Sequence, residues 1–132
     1  MSKSQNKNVF QENSEEILRE FINYYYTCLN QKNFAEIFKF FKDFTKIKFD
    51  SVEYKGFKSL QDLYNNLNLY NFIYTVNSYD YLMSGNHRMD ILVTGKIQIN
   101  EDVKYFTEYI HFGTCKNNEN GYLIYSSVFK SF

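Results

Sequence analysis

Between Met89 and Phe112 the chain alternates with a period of two. Met89, Ile91, Val93, Ile97 and Ile99 fall on one parity; Asp90, Leu92, Thr94, Lys96 and Gln98 fall on the other. Successive side chains of a strand point to opposite faces, so this pattern predicts a long strand with one buried face. Asn100-Glu101-Asp102 interrupts it with turn-forming residues. Tyr105 to Phe112 then resumes, rich in the aromatic and β-branched residues that suit a pleated surface. Two long arms around a short polar turn make a β-hairpin. A lone hairpin cannot bury its own apolar face, so the remaining chain must cover it.

Upstream the period changes to that of a helix. Ile17, Leu18, Phe21, Ile22, Tyr25, Cys28 and Leu29 form one apolar stripe. Asn13 and Glu16 have the spacing of a capping box at its start. Asn33 and Glu36 repeat that spacing before a second helix with Phe34, Ile37, Phe38 and Phe41 on one face. Phe44 to Tyr54 alternates weakly and reads as a short strand or hairpin bending near Asp50-Ser51. Ser59 and Asp62 open a third, short helix with Leu60, Leu63, Tyr64 and Leu67 as its stripe. Strands are expected at Phe72 to Met83 and Tyr122 to Phe129, the latter after a polar loop at Lys116 to Gly121. Helices toward one end and a run of antiparallel strands toward the other predict an α+β fold whose sheet curls over the helices. Residues 1–12 read as a loose polar tail, and 13–132 as a single domain.

Composition narrows the function classes. The chain has 132 residues, of which 20% are aromatic, so its core is built from Phe and Tyr. Fifteen basic residues balance fifteen acidic ones, which gives no general attraction to nucleic acid or an anionic membrane surface. No apolar run is long enough to span a bilayer, and the first residues lack the apolar core of a signal peptide. Cys28 and Cys115 are too few for a disulfide framework or a Cys-rich zinc site. These features predict an intracellular protein with reduced thiols, no metal and no cofactor.

Several stretches, taken in order, resemble the nuclear transport factor 2 family. Phe21-Ile22-Asn23-Tyr24-Tyr25-Tyr26-Thr27 is similar to its first-helix pattern. Ile47-Lys48-Phe49-Asp50 and the following Tyr54-Lys55-Gly56 are similar to its apolar-x-aromatic-acidic strand and glycine. Leu92-Val93-Thr94-Gly95-Lys96-Ile97 resembles its long-strand motif, and Phe106-Thr107-Glu108-Tyr109-Ile110 its Phe-x-Gln-x-Phe strand. Val128-Phe129-Lys130 stands where the family ends in an apolar residue, Phe and Arg. The likeness spans about residues 14 to 132. It implies a cone: three helices inside a strongly bent antiparallel sheet, open at one end, with pairing through the outer sheet face as a homodimer or heterodimer.

The resemblance also implies roles. Family members that carry the GDP-bound Ran GTPase into the nucleus surround an apolar pocket with acidic residues. The matching positions are Asp50, Glu101 and Asp102 for the rim and Phe49, Leu67, Leu69 and Phe72 for the pocket. Asn100 stands where the family has a further acid. Ser14 replaces the aromatic that binds Phe-Gly (FG) repeats of nucleoporins, leaving Phe10, one turn earlier, as the substitute. Tyr79, Tyr81, Leu92, Tyr105, Tyr109, Tyr125 and Lys130 are assigned to the outer dimer face, since so many aromatics on an open sheet mark a partner surface. Enzymes of this fold place an Asp, His or Tyr in the cavity, which singles out Tyr54, Asp80, Glu108 and His111 as inward polar groups. No spacing among them resembles a metal site or a nucleophile-base pair. The implied function is a non-catalytic transport factor of cytoplasm, nucleus and nuclear pore, binding protein partners and neither nucleic acid nor membrane. The small subunit of a heterodimeric mRNA export receptor, a dimerising scaffold subunit and a small-molecule isomerase or dehydratase are the alternatives.

Overall fold

The computed structural model describes residues 9–114 and 121–132. The tail before residue 9, Cys115 and the loop before Gly121 lie outside the described residues. The elements run α1 (Val9–Glu12), α2 (Ser14–Asn30), α3 (Phe34–Phe38), β1 (Lys46–Phe49), β2 (Val52–Lys55), α4 (Phe57–Leu67), β3 (Phe72–Met83), β4 (Arg88–Ile99), β5 (Asp102–Thr114) and β6 (Tyr122–Ser131). The strands form one six-stranded sheet in the order β2-β1-β6-β5-β4-β3. All pairings are antiparallel except β1 with β6, which is parallel. That exception corrects the wholly antiparallel sheet expected from the sequence.

The helical stripe of α2 and the inner parity of the strands share one core. Ile17, Leu18, Phe21, Ile22, Tyr25 and Tyr26 from α2 are buried with Met89, Ile91, Val93 and Ile97 from β4 and Phe106, Ile110 and Phe112 from β5. Aromatic rings fill the centre. Phe106 stacks on Phe129 at 5.4 Å between centroids, and Tyr74 meets both rings edge-on. Edge-to-face and offset stacking add roughly 0.5–1.5 kcal/mol per pair beyond area burial.

Three local expectations change. The tail is not loose to residue 12, because α1 adds a fourth helical segment and buries Phe10 against Phe112 and Tyr122. Neither Asn13 nor Asn33 makes a side-chain cap bond; their carbonyls instead accept from Ile17 N and Glu36 N. α4 starts at Phe57, with Gly56 at its N-cap at φ 84°, so the cap sits before Ser59.

β3 carries a bulge. Val76 pairs with Gly95 and Ser78 with Thr94, so Asn77 is an extra residue. An extra residue inverts the face on which all later side chains fall. Phe72, Tyr74 and Val76 point inward before it; Tyr79, Tyr81 and Met83 point inward after it, paired with the inward Val93, Ile91 and Met89. Gly95 makes the crossing possible. A Cβ there would lie 2.1 Å from the Thr75 carbonyl oxygen and 2.8 Å from the Phe106 ring.

Candidate functional site

One end of the sheet gathers the pocket residues. β1 ends at Phe49, β4 at Ile99, and β3 begins at Phe72, which pairs with Ile99. Phe49 stacks on Phe129 at 4.4 Å with nearly parallel planes. Phe49, Leu67, Tyr70, Phe72, Ile97 and Ile99 line an apolar hollow of about 160 Å³. Phe49, Leu67 and Phe72 thus come together as expected. Leu69 does not: it is 79% exposed, and Tyr70 takes its place in the lining. A one-residue error is natural after α4, where the chain leaves helical geometry and the stripe no longer sets direction.

The acidic residues stand at this same end but in different states. Asp50 lies in the β1–β2 turn at φ 45°. Its carboxylate accepts from Ser131 N and Ser131 Oγ, both at 2.7 Å. It therefore holds the end of β6. Glu101 and Asp102 are exposed on the β4–β5 turn. Asn100, the residue between Ile99 and this pair, adopts φ 56°. Its backbone amide donates to Asn71 O at 2.6 Å, and its Oδ1 accepts from Asn71 N at 3.3 Å. Asn tolerates the left-handed region better than most residues. It ties the acidic turn to the segment entering β3.

Phe10 is 2% exposed. Its ring closes the core beside α2, so the role assigned to it on FG repeats does not fit its placement. A separate, mostly apolar hollow of about 150 Å³ lies nearby, lined by Ile17, Glu20, Phe21, Tyr24, Phe40 and Tyr122.

Of the polar residues expected to face inward, Glu108 and Tyr54 do. Asp80 and His111 instead lie on the outer face. Asp80 pairs with Leu92 and accepts from Tyr81 N at 2.8 Å; His111 Nδ1 lies 2.5 Å from Asp90 Oδ1. Glu108 is 4% exposed. Its Oε1 accepts from Tyr26 Oη at 2.6 Å, and its Oε2 from Ser127 Oγ at 3.4 Å. Burial pushes its pKa up to about 7, against the opposing pull of the Tyr26 and Ser127 bonds. The hydroxyls of Tyr25, Tyr26, Tyr64 and Tyr74 are all held above their ordinary pKa, foremost by burial. No cluster of three His, Cys, Asp or Glu suited to a metal occurs among the described residues, and no helix among them is long and apolar enough to cross a membrane.

The outer face holds Leu92, Tyr105, Tyr109, Tyr125 and Lys130, as expected. Tyr125 stacks on Phe44 and lies under the Arg88 guanidinium, 4.2 Å from its ring centroid. Tyr79 and Tyr81 do not belong to that face. The β3 bulge turns both toward α2, where Tyr79 lines a groove with Arg19, Asn23 and Tyr26, and Tyr81 Oη bonds Ser14 Oγ at 3.0 Å. In their place the outer face gains Asp80 and Leu82, which line a hollow of about 500 Å³ with Tyr81, Asp90, Leu92 and Tyr109.

Comparison with known proteins follows this geometry. The family model described as the nuclear transport factor 2 domain matches residues 17–131. No curated protein matches the chain by sequence. Among solved structures, nuclear transport factor 2 from Cryptosporidium parvum is similar with a TM-score of 0.80 and 17% identity, covering 91% of this chain and 95% of that one. The yeast Ubp3-associated protein Bre5 is similar at 0.76 and 12% identity, covering 90% and 96%. A putative scytalone dehydratase from Novosphingobium aromaticivorans is similar at 0.79 and 4% identity, covering 92% and 86%. At these identities the likeness establishes the fold, which both binding proteins and enzymes use.

Proposed function

Because this chain belongs to the nuclear transport factor 2 domain family, we propose that it is a non-catalytic, homodimeric carrier that binds Ran-GDP at the open end of its cone and FG repeats during passage between cytoplasm and nucleus. The apolar hollow of Phe49, Leu67, Tyr70, Phe72, Ile97 and Ile99 beside exposed Glu101 and Asp102 carries the proposal. An aromatic ring of the partner fills such a hollow, and a basic side chain pairs with the carboxylates around it. Asp50 contributes to the rim indirectly, by fixing the β1–β2 turn to Ser131. The hollow of Ile17, Phe21, Tyr24, Phe40 and Tyr122, with Glu20 at its edge, has the size and mostly apolar lining for one Phe side chain, and takes the FG role that Phe10 cannot. Against catalysis stands the packing around Glu108, the one of the two singled-out carboxyls that faces inward, which Tyr26 and the neighbouring rings enclose.

The deciding experiment is a calorimetric titration of Ran-GDP into the wild-type chain and into Glu101→Lys/Asp102→Lys. Micromolar or tighter binding that the double reversal weakens more than tenfold is the expected result. Binding unchanged by the reversal removes the rim from the account. A second reading rests on the outer face: a dimerising subunit of a larger assembly, as a heterodimeric mRNA export receptor or a scaffold. A chain that pairs normally but binds neither Ran-GDP nor FG peptides selects that reading.

A further inference from the structure

β3 ends the sheet, so alternate residues along it turn their N–H and C=O away from β4. At Tyr74 the Asn30 side chain takes both groups. Ile97, opposite Tyr74, is therefore a pair without ladder bonds, and by the same parity of β4 so are Val93 and Ile91, opposite Tyr79 and Tyr81. The bond from Ser84 N to Arg88 O, on the other parity of β4, agrees. Tyr79 and Tyr81 thus turn their backbone groups to the open side. Asp80 Oδ1 accepts from the Tyr81 amide at 2.8 Å. Among the described residues, nothing bonds the Tyr79 N–H, the Tyr79 C=O or the Tyr81 C=O.

A wall stands beside this open edge. The groove between α2 and β3, about 530 Å³, has Arg19, Asn23 and Thr27 on its helical side and Tyr74, Val76 and Tyr79 on its strand side. A second hollow of about 240 Å³ shares Arg19 and Tyr79 with it and extends to Glu15, Asp80 and Tyr81. From the edge and the groove together we infer that β3 accepts an extended peptide segment of a partner protein as a seventh, antiparallel strand, with basic side chains turned toward α2.

The backbone groups select an extended chain. A peptide residue opposite Tyr79 exchanges both bonds with it, as the Asn30 amide does with Tyr74, and the next residue but one reaches Tyr81. Their side chains fall on the face of Tyr79, toward α2. The charges select the side chains. Glu15, Glu20 and Asp80 border the groove, against Arg19 as the one base. Side chains on one face of a strand repeat every ~6.7 Å, close to the ~7.5 Å rise from Glu15 to Glu20 along the helix. A Lys opposite Tyr81 thus meets Glu15, and a Lys opposite Tyr79 meets Glu20. Neither the rim of Glu101 and Asp102 nor the outer sheet face takes part, so the inference stands apart from the carrier reading.

NMR titration of the nitrogen-labelled full chain with acetyl-Thr-Lys-Thr-Lys-Thr-amide tests it. Saturable shifts at the Tyr79 and Tyr81 amides are expected, with hydrogen exchange at Tyr79 slowed about tenfold at saturation. N-methylation of the two Lys amides is expected to weaken binding at least about tenfold, and N-methylation of the central Thr amide, which points to solvent, to change it less than about twofold. Acetyl-Thr-Glu-Thr-Glu-Thr-amide is expected to bind at least about tenfold more weakly. On the protein side, Tyr79→Val removes the ring and keeps the amide, whereas Tyr79→Pro removes the amide without breaking a ladder bond, which an edge position tolerates. Tyr79→Pro is expected to bind about tenfold more weakly than Tyr79→Val. The absence of saturable shifts at these amides overturns the inference. Equal binding by the two Tyr79 variants, or indifference to methylation of the Lys amides, overturns strand pairing. A Glu peptide that binds as tightly as the Lys peptide overturns the basic partner.

Discussion

Tyr26 donates its hydroxyl proton to Glu108 Oε1 across 2.6 Å, in the middle of a core otherwise built from rings and aliphatic chains. The bond joins the main helix to the central region of the sheet. It also leaves a carboxyl whose pKa rises from the usual carboxylate value to about 7 on folding.

That rise fixes the sign of a pH effect. A group with a raised native pKa binds its proton more tightly in the folded state, so its contribution is fully present below the unfolded pKa near 4.5 and is lost as pH climbs through about 7. Chemical unfolding is expected to show stability falling by up to about 3 kcal/mol between pH 5 and pH 8 from this group. Glu108→Gln should flatten the profile over that window. A slope that survives the substitution assigns the effect to other groups.

Removing the donor acts differently. Tyr26→Phe keeps the ring and its packing against Tyr74 and Phe106 but leaves Glu108 with the longer Ser127 bond. The expected cost is roughly 1–3 kcal/mol by denaturant melting. Because the lost bond favours the ionised form, the midpoint of the pH profile should move to higher pH in this variant.

The edge of β3 supplies a third test. Asn30, the last residue of α2, donates from Nδ2 to Tyr74 O at 3.0 Å and accepts from Tyr74 N at 2.7 Å. One side chain thus satisfies both backbone groups of an edge residue that has no further strand beyond it. Asn30→Ala is expected to cost about 1–2 kcal/mol and to speed hydrogen exchange at the Tyr74 amide. Unchanged exchange there means that the edge is held by other means.

Gly95 predicts the largest loss. A methyl group at 2.1 Å from the Thr75 carbonyl cannot be relieved by rotating a side chain, since the obstacle is backbone. Gly95→Ala is expected to lose more than about 3 kcal/mol, in the range reserved for core overpacking and backbone strain, and to accumulate in inclusion bodies on expression. A soluble variant melting within a few degrees of wild type contradicts the packing described for the bulge.

Asp50 demands care in binding assays. Its two bonds to Ser131 make Asp50→Ala a stability variant, with an expected cost of roughly 1–3 kcal/mol. Ran-GDP affinity lost in that variant alone reports the turn rather than the rim. Thermal melting of Asp50→Ala beside Glu101→Lys/Asp102→Lys separates the two, with only the former expected to shift Tm clearly.

The fold is legible in the sequence because its signals are periodic. The α2 stripe and the inward parity of β4 survive into the structure residue for residue, from Ile17 to Leu29 and from Met89 to Ile97. Family resemblance groups Phe49, Leu67 and Phe72, and all three line one hollow. The misplacements share a cause. A single alternation extended through β3 puts Tyr79 and Tyr81 outside, and the extra residue at Asn77 reverses it. Nothing in Thr75-Val76-Asn77-Ser78 distinguishes a bulge from regular strand; the partner Gly95 is the only hint, since glycine within a strand marks close backbone approach. Phe10 sits in a polar stretch with too few apolar neighbours to set a period. The parallel β1–β6 pairing is a long-range fact with no local signature.

The ring-filled interior has an evolutionary consequence. Phe106, Phe129 and Tyr74 plug a space that surrounds a carboxyl already poised to exchange a proton near neutrality. Truncating a buried ring costs several kcal/mol but leaves a void that stays open when its walls are stiff. A small number of Phe-to-Ala steps beside Glu108 therefore separates a filled core from a chamber that contains a carboxyl. Emptying that space needs no change to the backbone that frames it.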